Sequence, residues 1–207
     1  TTALLFVQTL SRAGEGLATL LTSGAVSHAT LPPSTLAALP ADRDYPALRV
    51  LISAGEACTL ELVKRWSTPT RRFFNAYGPT ETTICATMEE CSPADGRVSI
   101  GGPLPGFTVR ILDQARRPVP IGVPGELCVG GVGLARAYLH REELSRERFI
   151  EVEGVGGKLE RLYTTGDLGR FTEGGRIEYL GRLDHQVKLR GYRIELGEIE
   201  AQLVVHP

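Results

Sequence analysis

The chain lacks an excess of charge of either sign, any C-x-x-C pair, and any apolar run long enough to span a bilayer. Lys plus Arg number 23 and Asp plus Glu 24, a formal net charge of −1. No overall positive field therefore points to nucleic acid, and no basic tract points to a membrane surface. The four cysteines (Cys58, Cys85, Cys91, Cys128) stand apart from His28, His140, His185 and His206. That spacing is not a zinc-ligand pattern and reads as free thiols in a reducing cytoplasm. The opening TTALLFVQTL has no basic residue before its apolar run and lacks the layout of a signal peptide. Repeats and low-complexity segments are also missing. The chain does not begin with Met and its last residues read as an unfinished helix, so both ends read as cut.

What is present is the composition of a soluble globular protein, 42% hydrophobic and 23% charged. There is ample apolar surface to offset chain entropy, and 207 residues suffice for one domain, or one large domain plus a fragment. LATLLTSGAV carries Leu17, Leu20 and Leu21 at helical spacing and breaks at Gly24. LRVLISAG and FFNAYGP are short apolar runs ending in turns, with helical TLELVKRW between them: a βαβ unit. From Gly101 to about Asp184, glycines and prolines punctuate the short runs TVRILD, GELCVGG, RLYTTGD and RIEYLGR, which predicts small antiparallel or barrel-like β structure. REEL and RERF form one polar helical stretch among them. After Asp184, HQVKLRGYRIEL predicts two strands turning at Gly191, and Leu196, Ile199 and Leu203 share one face of a following helix. A hairpin and one helix are too little to fold alone, so this region reads as the opening of a second domain. The fold class is α/β: an open, mostly parallel sheet with helices over 1–100, a small β-barrel-like part over 101–183, and the start of a small α+β domain over 184–207.

Four segments carry candidate chemistry. In N-A-Y-G-P-T-E-T-T (75–83), the loop beyond a strand end is where open α/β sheets bind ligands. Asn75 can read an adenine edge, Tyr77 offers a stacking face, Thr80 can reach a phosphate oxygen, and Glu81 is a hard oxygen ligand for Mg²⁺. The same residues also suit an ordinary strand-to-helix loop with Thr80 as the cap. In Y-T-T-G-D-L, Asp167 follows a Gly turn; its carboxylate can bind a ribose diol or bond its own backbone. G-E-L-C-V-G-G-V-G-L-A-R-A-Y (125–138) lacks the ending of a phosphate loop and reads as a glycine-rich structural turn. In 181–200, Arg182 can fork onto ribose or phosphate oxygens, and Lys188, Arg190 and Arg193 can form a cationic lip or merely a solvated hairpin face.

Taken in order, these four blocks resemble the adenylation domains of nonribosomal peptide synthetases, within the wider family of acyl-CoA synthetases and luciferases. The resemblance runs from about residue 17 nearly to the end. It implies that 1–183 is the C-terminal portion of a large adenylation core and 184–207 the hinge and first elements of a lid domain. It further implies that Gly55, Glu56 and Ala57 line an adenine pocket with Asn75, Ala76, Tyr77 and Gly78. Thr80 then binds the α-phosphate, Glu81 the Mg²⁺, and Asp167 the ribose hydroxyls with Arg182 nearby. Asp184 is the hinge, and Lys188 and Gly191 belong to the face that meets a carrier's phosphopantetheine arm. Thr30, Ile52, Ala54, Ala76, Ile84 and Cys85 are the implied amino-acid pocket, which resembles the phenylalanine type. Small alanines would leave depth and the isoleucines would give apolar walls, unless Ile52 and Ile84 are only core residues at strand ends. Two departures stand out: Ala137 replaces a usual glycine and Thr164 a usual basic residue.

The implied reaction uses ATP and Mg²⁺. A carboxylate of an amino acid attacks the α-phosphorus, pyrophosphate leaves, and the carrier's thiol then displaces AMP, with catalysis by positioning and charge neutralisation. The implied partners are the amino acid, a peptidyl carrier domain and neighbouring synthetase domains. Alternatives are an acyl- or aryl-CoA ligase of the same family, or a non-catalytic module that binds nucleotide or a carrier. The family's phosphate loop, its ammonium-pairing aspartate and its late lysine do not occur among these 207 residues. Losing one such group costs about 10²–10³ in rate. The isolated chain is therefore expected to show no ATP–pyrophosphate exchange, and full exchange by it would overturn that expectation.

Overall fold

The computed structural model describes residues 14–40, 42–184, 186–189, 192–194 and 196–205. The chain divides into two compact units: one takes Thr1–Asn75, Glu90–Val98 and Lys188–Tyr192, the other Ala76–Glu89, Ser99–Val187 and Arg193–Pro207.

The first unit runs α1 (Glu15–Ser23), β1 (His28–Leu31), α2 (Pro33–Ala38), β2 (Val50–Ala54), α3 (Leu60–Trp66) and the first four residues of β3 (Arg72–Tyr77). Helix α1 stops where its spacing pattern stops, and Gly24 N–H closes the last turn on the Leu20 carbonyl at 2.9 Å. Strands β1 and β2 pair in parallel, with Thr30 opposite Ile52, and β2 neighbours β3. Helix α3 begins at Thr59, whose side chain accepts from Leu62 N–H. Leu17 and Leu21 from α1, Leu36 from α2, Leu51 from β2, Val63 and Trp66 from α3 and Phe73 from β3 share one core. Arg71 closes its edge: it donates to the carbonyls of Leu48 (3.2 Å) and Tyr45 (3.3 Å) and stacks on Trp66 at 5.4 Å.

In the second unit the end of β3 is followed by a one-turn 3₁₀ helix at Thr80–Thr82 and then β4 (Thr87–Glu90) and β5 (Gly102–Pro103), an antiparallel pair. β6 (Phe107–Leu112), β7 (Gly125–Gly131), α4 (Glu142–Arg148), β8 (Phe149–Glu153), β9 (Leu159–Phe171) and β10 (Ile177–Arg182) follow. They build an antiparallel sheet in the order β10-β9-β7-β6, with β8 also on β9. Its core holds Tyr77, Ile100, Ile111, Leu127 and Ile177, beside a smaller cluster of Leu112, Cys128, Ile150 and Leu162. The chain continues through β11 (Val187–Leu189), β12 (Tyr192–Ile194) and α5 (Leu196–Val205). Mixed α/β architecture, with a parallel pair first and an antiparallel, barrel-like sheet second, is the expected fold class.

Two local expectations are corrected. The GELCVGG segment is not a glycine-rich turn but strand β7, with Leu127 and Val129 fully buried. Gly166-Asp167 is not a turn either: it lies inside the 13-residue strand β9. Residues 165–167 stand against Leu127 alone, a bulge that shifts the register between Glu126 and Cys128.

Gly101 has φ +76°, and a Cβ there would sit 1.9 Å from the Met88 carbonyl oxygen. Gly101→Ala is expected to lower stability by about 2–4 kcal/mol, from left-handed strain plus the clash. The shift of the urea unfolding midpoint measures it.

Candidate functional site

In the first unit, Thr30 and Ile52 are paired residues on neighbouring strands, and Ala54 lies two residues further along the same face as Ile52. Thr30 is exposed, whereas Ile52 and Ala54 are half-buried. Gly55 ends β2 at φ +90°. Glu56 then accepts from the backbone N–H and the hydroxyl of Ser34, both at 2.9 Å. Its carboxylate thus satisfies a donor in the first turn of α2. A cavity of about 380 Å³ lies beside it, lined by residues that include Ser34, Ala57, Thr59 and Arg65. Asn75 is buried near the end of β3.

The second unit takes up the same strand at Ala76 and Tyr77, both buried. Gly78 is required by close approach, because a Cβ there would meet the Ile84 carbonyl oxygen at 2.7 Å and Ala86 N at 2.8 Å. Thr80 is exposed and does not cap the helix: Pro79 holds the cap position without a side-chain bond, and Thr82 hydroxyl donates to Pro79 C=O at 3.0 Å. Thr83 and Ile84 follow with φ of +58° and +72°. Ile84 is 70% exposed, which corrects its reading as a core residue at a strand end. Cys85 is half-buried, and burial pushes its thiol pKa up.

Asp167 is 1% exposed, so its charge must be met by protein groups. Three side chains meet it. Tyr77 Oη donates to Oδ2 at 2.6 Å, Arg182 Nη1 to Oδ1 at 2.9 Å, and Tyr179 Oη to Oδ1 at 3.5 Å. Register places Arg182 there, since Arg182 and Asp167 are cross-strand partners of β10 and β9. Thr165 fixes the bulge by donating to Leu127 C=O at 2.8 Å and accepting from Asp167 N–H at 3.0 Å. The other face of Arg182 forks onto Asp184, Nε and Nη2 each at 2.6 Å. A Cβ on Gly166 would lie 2.8 Å from both Arg182 Nη2 and Asp184 Oδ2, at φ +72°. Only glycine lets the guanidinium in. Burial alone would lower the Arg182 pKa, but its bonds to Asp184 and the charge of Asp167 raise it overall. Burial, then the Asp167 charge, raise Tyr77 well above its ordinary value, and the same two causes push Tyr179 up to about 12. The Arg182 hydrogen bond chiefly holds Asp184 below its ordinary value. Lys188 lies in β11, but its side chain, like Gly191 and Arg190, is outside the described residues.

Glu81 is half-buried on the one-turn helix, and Tyr138 Oη donates to its Oε1 at 2.6 Å. Sequence reasoning missed Tyr138. It sits 57 residues from Glu81, inside a block read only for its glycines. Among the described residues no group of three or more His, Cys, Asp or Glu side chains could hold a metal alone. A divalent ion here would be bound by the single Glu81 carboxylate together with phosphate oxygens, the pattern Mg²⁺ favours. Glu81 fits that role, with a neutral phenol orienting it.

Residues 2–139 match the AMP-binding enzyme family, and the chain belongs to it. Within that class it is 54% identical to bacitracin synthase 3 of Bacillus licheniformis, over 92% of this chain and 3% of that protein. It is 50% identical to the phosphinothricin tripeptide synthetase PhsC of Streptomyces viridochromogenes, over 94% of this chain and 18% of that protein. The chain therefore spans less than a fifth of the length of either relative. Among solved structures it superposes on holo-PA1221, an NRPS protein containing adenylation and PCP domains bound to a vinylsulfonamide inhibitor. The TM-score is 0.85 at 31% identity, over 93% of this chain and 35% of that one.

Arg182→Ala strands Asp167 without its cation and is expected to cost on the order of 3 kcal/mol by denaturant unfolding. A second expectation concerns acid. The folded-state pKa of Asp184 lies below its ordinary 3.8, so its contribution is present above that value and is lost as pH falls through the folded pKa. Asp184→Asn should flatten the decline of stability below about pH 4 relative to the parent, read as the urea midpoint against pH.

Proposed function

We propose that the intact protein activates an amino acid with ATP as an aminoacyl-AMP and passes it to the phosphopantetheine thiol of a carrier domain in nonribosomal peptide synthesis, in the cytoplasm. The observation that carries this reading is the buried Asp167, compensated by Arg182 and two tyrosines on a bulged strand. Its charge is balanced, so its acceptor capacity suits neutral donors such as the two ribose hydroxyls. Gly55, Glu56, Ala57 and Asn75 to Gly78 serve the adenine, Thr80 the α-phosphate and Glu81 the Mg²⁺, which supplies charge neutralisation when bound. Asp184 acts as hinge between a core ending at 183 and a lid domain beginning at 184, and Lys188 and Gly191 face the carrier. Support comes from the relatives, one of them a tripeptide synthetase by name, and from a structural neighbour that joins adenylation to PCP domains.

For the substrate we assign a phenylalanine-like side chain. Half-buried Ile52, Ala54 and Cys85, small buried Ala76, and the exposed Thr30 and Ile84 offer a lining without charge. ATP–pyrophosphate exchange of the intact protein against an amino-acid panel tests both levels. Exchange should peak on phenylalanine and similar large apolar residues. A peak on small or charged side chains overturns the pocket reading, and exchange only with aryl or fatty acids makes the protein a CoA ligase.

A further inference from the structure

The carboxylate of Glu81 is held by a small aromatic scaffold that none of the roles above uses. Tyr138 Oη lies 2.6 Å from Glu81 Oε1 and 3.1 Å from Tyr163 Oη. Tyr138 has one hydroxyl proton and gives it to Glu81, so the bond between the phenols is donated by Tyr163. Tyr163 is completely buried in β9 and cannot wander. Its ring packs on Phe149 at 5.1 Å, Phe149 meets the Tyr138 ring edge-on at 5.7 Å, and Arg161 covers Phe149 at 4.4 Å.

The backbone repeats the connection. Ala135 N–H donates to Glu81 C=O at 2.8 Å, and Thr83 hydroxyl to Gly133 C=O at 2.7 Å. Arg161 holds the carbonyls of Ala135 and Arg136 at 2.9 and 2.6 Å, and Tyr138 N–H donates to the Ser145 hydroxyl at 2.9 Å. The segment before Tyr138 is thus pinned to the loop that carries Glu81 and also to α4.

We propose that Tyr138, backed by Tyr163, is a positioning residue that fixes the Glu81 carboxylate for a divalent cation. This rests on the reading of Glu81 as the metal ligand. The physical reason is the kind of donor. An arginine or lysine would orient the carboxylate but also cancel its charge, whereas a phenol orients it and leaves the charge for the cation. Mg²⁺ demands near-ideal octahedral geometry at short distances, so a freely rotating glutamate would bind it less well. Partners of metal ligands at this remove typically govern 10–100-fold in metal affinity.

The test uses the intact protein with Mn²⁺ as probe. Its affinity is read by electron paramagnetic resonance in the presence of a non-hydrolysable ATP analogue, beside the Mg²⁺ requirement for pyrophosphate exchange. Tyr138→Phe keeps the ring against Phe149 and should weaken Mn²⁺ about 10-fold or more. The Mg²⁺ needed for half-maximal exchange should rise to match, with the amino-acid KM and melting temperature unchanged. Tyr163→Phe, which removes only the outer hydroxyl, should give a smaller loss in the same direction. Glu81→Gln separates the two layers. If it loses Mn²⁺ and Tyr138→Phe does not, the positioning role falls while the metal reading stands. If Glu81→Gln itself leaves Mn²⁺ affinity unchanged, both fall.

Discussion

A carboxylate sealed from water is tolerated only if its charge is answered within hydrogen-bond reach, and Asp167 imposes that condition on most of the second unit. Answering it requires Arg182 opposite on β10, which fixes the register of β9 and β10. The guanidinium must also pass close to the backbone, so residue 166 must be glycine, and the extra residues must be absorbed as a bulge against Leu127. The same condition holds the Tyr77 and Tyr179 hydroxyls inside. Their rings pack at 6.2 Å and belong to the core around Ile111, Leu127 and Ile177. One charge thereby ties strand register, a glycine position and a hydrophobic cluster together.

The two central carboxylates have partners of opposite kind. Asp167 faces a permanent cation shared with Asp184, while Glu81 takes a hydrogen bond from a phenol. A balanced carboxylate offers acceptors without attracting a metal; a phenol-oriented one keeps its field. The division of labour assigned to them, hydroxyls at one and a divalent ion at the other, follows from what each is bonded to rather than from residue type alone.

Much of this was legible in the sequence, for physical reasons specific to each element. Helix α1 and strands β2 and β3 show in local periodicity because one face of each is buried. The antiparallel character after Gly101 shows in the spacing of turn residues. Gly166-Asp167 misled because a bulge and a turn make the same demand for positive φ, and only pairing with β7 tells them apart. Gly130 and Gly131 misled similarly: they allow close approach of β6 rather than a turn, with Thr108 Oγ1 and the Gly106 carbonyl in the way of a Cβ. Tyr138 was invisible because its contact with Glu81 spans 57 residues and depends on the path of the whole intervening chain. Hydrophobicity suggests a core position for Ile84, while its exposure is set by backbone conformation.

That last residue carries a consequence for redesign. Thr83 and Ile84 are both β-branched and both lie at positive φ, where side chains of that shape are strained by about 1–3 kcal/mol each. Evolution has kept at position 84 an amino acid that the local backbone disfavours. Libraries that vary this position to change the accepted amino acid would therefore begin from an unusual footing. Glycine or asparagine there relaxes the chain as it alters the side chain. A fitness landscape read through expression yield would then favour variants for their stability alone, so selections at this site need a readout of substrate choice kept separate from abundance.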